Sequence, residues 1–266
     1  MDSDACNTAQ CAYVSGLLTY MCEELGEKEL AQKYGEIYEH YVSAWRKNYL
    51  REDGSIGDWL QSEYVMALAY GLYPEELEQA GADKLNLSIT GSEYHISTGY
   101  VTTPHILSVL CKYGYVDTAY KLIQQTEYPS WNYMLDHTSA LTEGWNTLLV
   151  DEEGKIQING SLNHVALGAV GRWFYTDVLG IQRDETQPGY KHFYLKPYIG
   201  GGLTWASGSY ESVYGKIESA WEVTEEGTSF YFVIPPNTTA TVMLPYEDYY
   251  EKELISGVHE IFIPNE

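Results

Sequence analysis

The sequence predicts two folds in tandem. An all-α part made of helical hairpins occupies residues 1–185, and a small all-β antiparallel sandwich occupies residues 186–266. Three observations carry this. Apolar residues recur at helical spacing up to about residue 182. Beyond Pro188 the spacing changes to two. The connections between the helical stretches alternate between short and long.

The first helix carries Val14, Leu17, Leu18, Met21 and Leu25 on one stripe, and Gly26 stops it. The second carries Leu30, Tyr34, Ile37, Tyr38, Tyr41 and Trp45. A third runs from Gln61 to Leu72 and ends before Pro74. A fourth runs from Glu75 to about Leu85. The fifth has Thr103 as N-cap and Pro104 at the first position, where a missing N–H costs nothing. A sixth runs from Val116 to Gln125. The seventh is capped by Ser161 and carries Leu162, Val165, Ala169, Val170, Trp173 and Phe174. The long connections cover residues 48–60, 86–102 and 128–160. Long loops gathered at one end of stacked hairpins build a site there.

In the second part, short strands are expected at Phe193–Leu195, Leu203–Ala206, Tyr210–Tyr214 and Lys216–Trp221. Others follow at Ser229–Ile234, Ala240–Leu244 and His259–Ile263. Pro235, Pro236 and Asn237 read as a turn between two of them.

Composition narrows function. Fifteen Lys and Arg stand against 38 Asp and Glu, a formal charge of −23. Such a surface repels phosphate backbones and anionic membranes, so neither is an expected partner. A neutral substrate needs no electrostatic steering. The 26 Tyr and seven Trp suit a sugar, whose apolar C–H faces stack on rings edged with polar groups. No apolar run approaches the ~20 residues of a membrane helix, and residues 1–10 have neither the basic start nor the apolar stretch of a signal peptide. Cys6, Cys11, Cys22 and Cys111 match no zinc or redox spacing and read as buried free thiols of a reducing, cytoplasmic compartment. The seven His lack metal-ligand spacing, and no phosphate loop or dinucleotide fingerprint is present, so no cofactor or metal is expected.

Chemistry concentrates in the loop 128–164. Glu143 lies between Leu141 and Trp145, and a carboxylate among apolar and aromatic groups can serve as a general acid or base. His164 falls just after the expected Ser161 cap, where a helix N-terminus favours neutral imidazole. A second cluster, residues 54–61, sets Asp58 and Trp59 after a glycine-rich turn. Asp58 reads as the N-cap of the third helix or as an acid. Residues 151–154 read as a hairpin turn, without the alternating ligands of a calcium loop.

A series of motifs then becomes specific. It runs through Thr98-Gly99-Tyr100-Val101-Thr102-Thr103-Pro104, residues 128–131 and 141–145, and Ser161-Leu162-Asn163-His164. It continues through residues 203–217 and 234–240. In this order and over nearly the whole chain, the series resembles the C-terminal half of bacterial α-L-rhamnosidases of glycoside hydrolase family 78. The resemblance implies part of an (α/α)6 barrel followed by the family's C-terminal β-sandwich. It also implies inverting hydrolysis of terminal α-L-rhamnosides, with a rhamnose-containing glycoside as partner. It places the general base on Glu143 and substrate binding on His164 and its neighbour Asn163, with Trp131 and Trp145 lining the sugar pocket. Trp59 and Asp58 are weaker candidates.

Two departures stand out. The family's base segment has the form Thr-Thr-x-Trp-Glu, and Thr142 stands where the Trp would be. The family's general acid lies in a segment of the form Asp-Glu-Arg-x-Gly-Trp-x-Gly-Asp, and no stretch here matches it. Roughly seven barrel helices stand where twelve are needed. The chain therefore reads as the C-terminal part of a longer enzyme that lacks the acid. Exposed apolar surface is expected on its first helices, and with it self-association or pairing with the missing half of the barrel. The competing expectations are a non-catalytic carbohydrate-binding or interaction module, and a different barrel hydrolase in which Asp58 is the acid.

Overall fold

The computed structural model describes residues 3–58, 60–151, 153–244 and 250–265. Trp59 lies outside them. The chain divides into two compact units, Met1–Gly168 and Ala169–Glu266.

The first unit opens with α1 (Ser3–Glu24) and α2 (Lys28–Tyr49). Next come α3 (Gln61–Ala69) and α4 (Glu75–Gly91), then α5 (Ile106–Lys112) and α6 (Val116–Gln124). Each odd-numbered helix pairs with the next even-numbered one as a hairpin. Contacts of α3 with α1 and α5, and of α4 with α6, lay the hairpins side by side. The burial of α3 follows from this. Gln61 to Leu68 are all buried, because an inner helix is walled on every side. The connections α2–α3, α4–α5 and the one following α6 are long, and the others are short, as the sequence pattern requires.

Several local expectations are corrected, but the exposed apolar surface expected on the first helices is present on the α1 stripe: Val14 is 50% exposed, Met21 55% and Leu25 74%. Its buried face consists of Ala5, Ala9, Ala12, Ser15 and Cys22, small residues that permit close approach to α2. Thr103 does not cap α5. The helix begins at Ile106, and the Thr103 hydroxyl instead donates to the Gly99 carbonyl at 2.9 Å. Asp58 does not cap α3. The buried Glu63 carboxylate reaches back and accepts from the Leu60 N–H at 3.4 Å and the Asp58 N–H at 3.2 Å. The four cysteines are free, but Cys11 is exposed and Cys6 half-buried.

After α6 come α7 (Trp131–Leu135) and a hairpin of β1 (Leu148–Val150) and β2 (Ile156–Ile158), where the Gly154 N–H donates to the Asp151 carbonyl; of the turn expected at 151–154, Glu152 lies outside the described residues. The seventh helix does not start at Ser161. It appears as α8 (Val165–Gly168) and, in the second unit, α9 (Gly171–Trp173), which runs into a π-helical turn over Phe174–Val178.

The second unit carries β3 (Ile181–Arg183), β4 (His192–Leu195), β5 (Trp205–Ser212), β6 (Gly215–Val223), β7 (Gly227–Leu244) and β8 (Tyr250–Pro264). Its six strands form one hydrogen-bonded sheet in the order β3-β4-β7-β6-β5, with β8 along β7. All pairings are antiparallel except β4 with β7. Strands β4 and β6 pair with opposite halves of β7, about a bulge between Ile234 and Thr239. The expected turn at Pro235-Pro236-Asn237 is that bulge. Proline cannot donate to the ladder, so it sits where pairing is already interrupted and β7 continues past it. Alternate residues Phe230, Phe232, Ile234, Ala240, Val242 and Leu244 are buried and form the core with Phe193, Leu195, Ile217 and Trp221. The core closes on the π-turn, where the Trp221 indole donates to the Val178 carbonyl at 2.8 Å and the Ser219 hydroxyl to the Leu179 carbonyl at 2.6 Å.

No helix among the described residues is long and apolar enough to cross a membrane. Likewise, no cluster of His, Cys, Asp and Glu among them is suited to hold a metal ion.

Candidate active site

The site grows from a hairpin that extends beyond β1 and β2. The Asn159 N–H donates to the Thr147 carbonyl at 2.7 Å, that of Glu143 to Ser161 at 3.0 Å, and that of His164 to Leu141 at 2.9 Å. Residues 141–147 and 159–164 thus run side by side, which brings the backbone segments that carry Glu143 and His164 together although 20 residues separate the two in sequence. Glu143 is held twice. Besides its backbone bond, its Oε2 accepts from the Ser161 N–H at 3.2 Å. Gly160, at φ +117°, makes room for it, since a Cβ there would lie 3.1 Å from the same oxygen. The Glu143 side chain is exposed, and among the described residues its Oε1 has no hydrogen-bond partner.

His164 is half-buried. Its Nδ1 lies 3.0 Å from the Ala166 backbone nitrogen, a group that only donates. Nδ1 is therefore the acceptor, and in neutral imidazole the proton sits on Nε2. The ring meets Tyr100 edge-on at 5.7 Å, and Tyr100 is 58% exposed. Tyr100 belongs to the 98–104 motif but was not singled out from sequence. The ring contact with His164 is the signal that identifies it.

The two tryptophans meet edge to face, 5.2 Å apart at 83°. Trp131 is only 2% exposed, and its indole donates to the Leu167 carbonyl at 3.1 Å. It forms the wall behind Trp145. Trp145 is half-buried and donates to the Thr98 carbonyl at 2.6 Å. Helix α7 delivers Trp131, and its N-cap, missed in the sequence, is Ser130, whose hydroxyl accepts from the Tyr133 N–H at 3.0 Å. Thr142, in the place of the family's Trp, is fully buried. Its hydroxyl donates to the Gly144 carbonyl at 2.9 Å, fixing the backbone on which Glu143 stands.

Two of the long loops, 86–102 and 128–160, meet here, and the start of α3 braces the first. The Gln61 amide at the start of α3 donates to the His95 carbonyl at 3.0 Å, and its oxygen accepts from the Ser97 N–H at 2.8 Å. The next residue, Thr98, holds Trp145. Asn163 is exposed and closes a tight turn with Ser161 through its backbone. Asp58 is exposed on the approach to α3, beside a cavity of about 170 Å³ that also touches Trp45, Ile56 and Glu63. Burial pushes the Glu63 carboxyl above its ordinary range. Of the residues singled out from sequence, the structure joins Glu143, His164, Asn163, Trp131 and Trp145 through the hairpin and α7, and sets Asp58 in another loop.

The chain is similar to known proteins over nearly its whole length. Residues 1–178 match the bacterial alpha-L-rhamnosidase 6 hairpin glycosidase domain, and residues 180–259 match the bacterial alpha-L-rhamnosidase C-terminal domain. An alpha-L-rhamnosidase of Streptomyces avermitilis is 32% identical over 98% of this chain, and one of Formosa agariphila 33% identical over 91%. The matches cover 25% and 26% of those proteins, so the chain spans about a quarter of the length of the relatives it matches. Among solved structures, the Streptomyces avermitilis enzyme complexed with L-rhamnose superimposes with a TM-score of 0.90 at 31% identity. The match covers 98% of this chain and 27% of that one. The Aspergillus terreus enzyme gives 0.86 at 29% identity, covering 95% and 29%.

Proposed function

For this chain, which belongs to the bacterial α-L-rhamnosidase family, we propose the water-activating half of an inverting hydrolysis of terminal α-L-rhamnosides, with Glu143 as general base. The observation that carries the reading is the double tether of Glu143 to Ser161, which leaves one oxygen of an exposed carboxylate free. The free Oε1 takes a proton from water as that water attacks the anomeric carbon. His164 donates from Nε2 to a sugar hydroxyl. Trp145, braced by Trp131, and Tyr100 offer faces to the apolar side of the ring. Asn163 adds an exposed amide at the same hairpin base. L-Rhamnose is the ligand of the similar Streptomyces avermitilis structure, and a rhamnose-containing glycoside is the substrate assigned here.

Inversion also requires a carboxylic acid on the leaving-group side, about 6.5–9.5 Å from the base. No segment matching the family's acid motif is present in the sequence. The chain alone is therefore expected to bind L-rhamnose and to turn rhamnosides over weakly. A carbohydrate-binding role without hydrolysis is the second reading, and the exposed Tyr100 ring beside His164 favours it. We also propose that the exposed α1 stripe is covered either by a second copy or by the remainder of a longer barrel, because an apolar helix face of this kind is seldom left open to water.

The test pairs calorimetry of L-rhamnose binding with turnover of an aryl α-L-rhamnoside. Glu143→Gln should lower turnover by roughly 10²–10⁴-fold while leaving binding within a few-fold, and His164→Ala should weaken binding. Binding without any turnover selects the second reading. Turnover unchanged in Glu143→Gln overturns the assignment of the base.

A further inference from the structure

The β unit carries a second concave surface, unrelated to Glu143. Strand registry builds it in rows. Trp205, Glu222, Ser229 and Phe262 face one another across β5, β6, β7 and β8. Two residues along lie Ser207, Ala220, Tyr231 and Glu260. Side chains alternate across a sheet, so both rows share one face. Its direction is set by the intervening residues. Trp221 and Phe230 are buried, and a Cβ on Gly208 would strike Leu179 at 2.4 Å, so that side is the core. The two rows face solvent. Trp205 is 65% exposed, Phe262 52% and Tyr231 36%. With the residues between them, the rows line a cavity of about 640 Å³, within the ~300–1,000 Å³ typical of ligand pockets.

We propose that this face binds an uncharged oligosaccharide chain. Three exposed rings are spread over it. Trp205 and Phe262 stand three strand spacings apart, about 14 Å, which is more than one pyranose ring spans. Rings so spaced stack on successive sugar units. Between them lie Glu222 and Glu260, which have no ion-pair partner among the described residues, and the hydroxyls of Ser207, Ser229 and Tyr231. Carboxylates accept hydrogen bonds from sugar hydroxyls. They repel uronates and phosphates, as does the net charge of −23. The same two carboxylates argue against a protein partner, because the centre of a protein interface is depleted of acidic groups. The surface lies wholly within the second unit, so it acts as a separate subsite that retains a glycan chain.

The experiment titrates the whole chain with cellohexaose, a neutral rhamno-oligosaccharide and a hexagalacturonate, by calorimetry and tryptophan fluorescence. Trp205→Ala and Phe262→Ala are compared with Trp205→Phe, and thermal unfolding and sedimentation are measured in parallel. A neutral oligosaccharide should bind the wild type, at least fivefold more weakly in each alanine variant and nearly normally in Trp205→Phe, while hexagalacturonate should not bind. Equal affinity in the alanine variants overturns the proposal. So does absence of binding to both neutral probes, or a wild-type dimer that these substitutions dissociate. Free L-rhamnose binding in the same variants reports on the Glu143 site, so failure of one assignment is distinguishable from failure of the other.

Discussion

Asp184 shows how one residue makes stability depend on pH. Its carboxylate accepts from the Thr186 N–H at 2.8 Å, the Thr186 hydroxyl at 2.7 Å and His192 Nδ1 at 2.8 Å, while His192 Nε2 meets Thr241 at 3.1 Å. The Thr186 bonds, then His192, hold Asp184 below the ordinary carboxylate value. A folded value below the unfolded one makes stability greatest above the unfolded value, about 3.9, and removes it as pH falls through the folded value. Asp184→Asn should therefore lower the melting temperature at pH 7, with the gap closing as pH drops below about 3.9. Thermal unfolding against pH checks this. A gap that persists in acid would exclude the carboxylate as its source. Neither the pairing of Asp184 with His192 nor the tie of Glu143 to Ser161 is visible in sequence, because each depends on how strands or hairpin arms pair, whereas the bonds from Thr186 to Asp184 are local. Residue type and spacing did mark Glu143, His164 and the tryptophans. They could not indicate that Trp131 is buried behind Trp145, since both are the same kind of residue in the same loop.

Among the elements, the α3–α4 hairpin depends on one close approach. A Cβ on Gly81 would fall 2.4 Å from the Tyr73 ring, whose hydroxyl donates to the Gly54 carbonyl at 2.7 Å. Gly81→Ala forces an overlap of ring and methyl and should cost about 1–3 kcal/mol. Tyr73→Phe removes the buried hydrogen bond and should cost about 1 kcal/mol. Denaturant unfolding measures both, and a neutral Gly81→Ala would show that Tyr73 moves freely. In α7, Ser130→Ala deletes the cap and should cost about 1 kcal/mol. Because α7 carries the wall behind Trp145, the same variant should weaken L-rhamnose binding, which calorimetry would detect. Helices long enough to show a clear period were legible in sequence. The failures came where two signals competed. Thr103-Pro104 and Ser161 look like caps but are used in turns, and Asp58 looks like a cap but Glu63 supplies the carboxylate. Pro235-Pro236 looks like a turn, but hydrogen bonding to β8 carries β7 through it.

For the whole molecule, the exposed α1 stripe makes a prediction at low energetic cost. Met21→Lys with Leu25→Lys should change stability by no more than about 0.5 kcal/mol, since both side chains already face water. It should also abolish concentration-dependent association in sedimentation. A wild type that remains monomeric at high concentration would remove self-association from the assignment. At this scale the sequence by itself determined the two-part architecture, because a switch of apolar period from helical to two is a property of neighbouring residues. It also determined the family, through motifs ordered along nearly the whole chain. Tertiary structure alone decided which residues α1 buries: Ala5, Ala9, Ala12, Ser15 and Cys22, and not its apolar stripe. It likewise decided that Trp205, Tyr231 and Phe262 share one face, and that the segments carrying Glu143 and His164, 21 positions apart, pair in one hairpin. Periodicity records what a segment could bury. Only the partners present, and the strand registry that aligns distant residues, fix what it does bury and what it presents to a ligand.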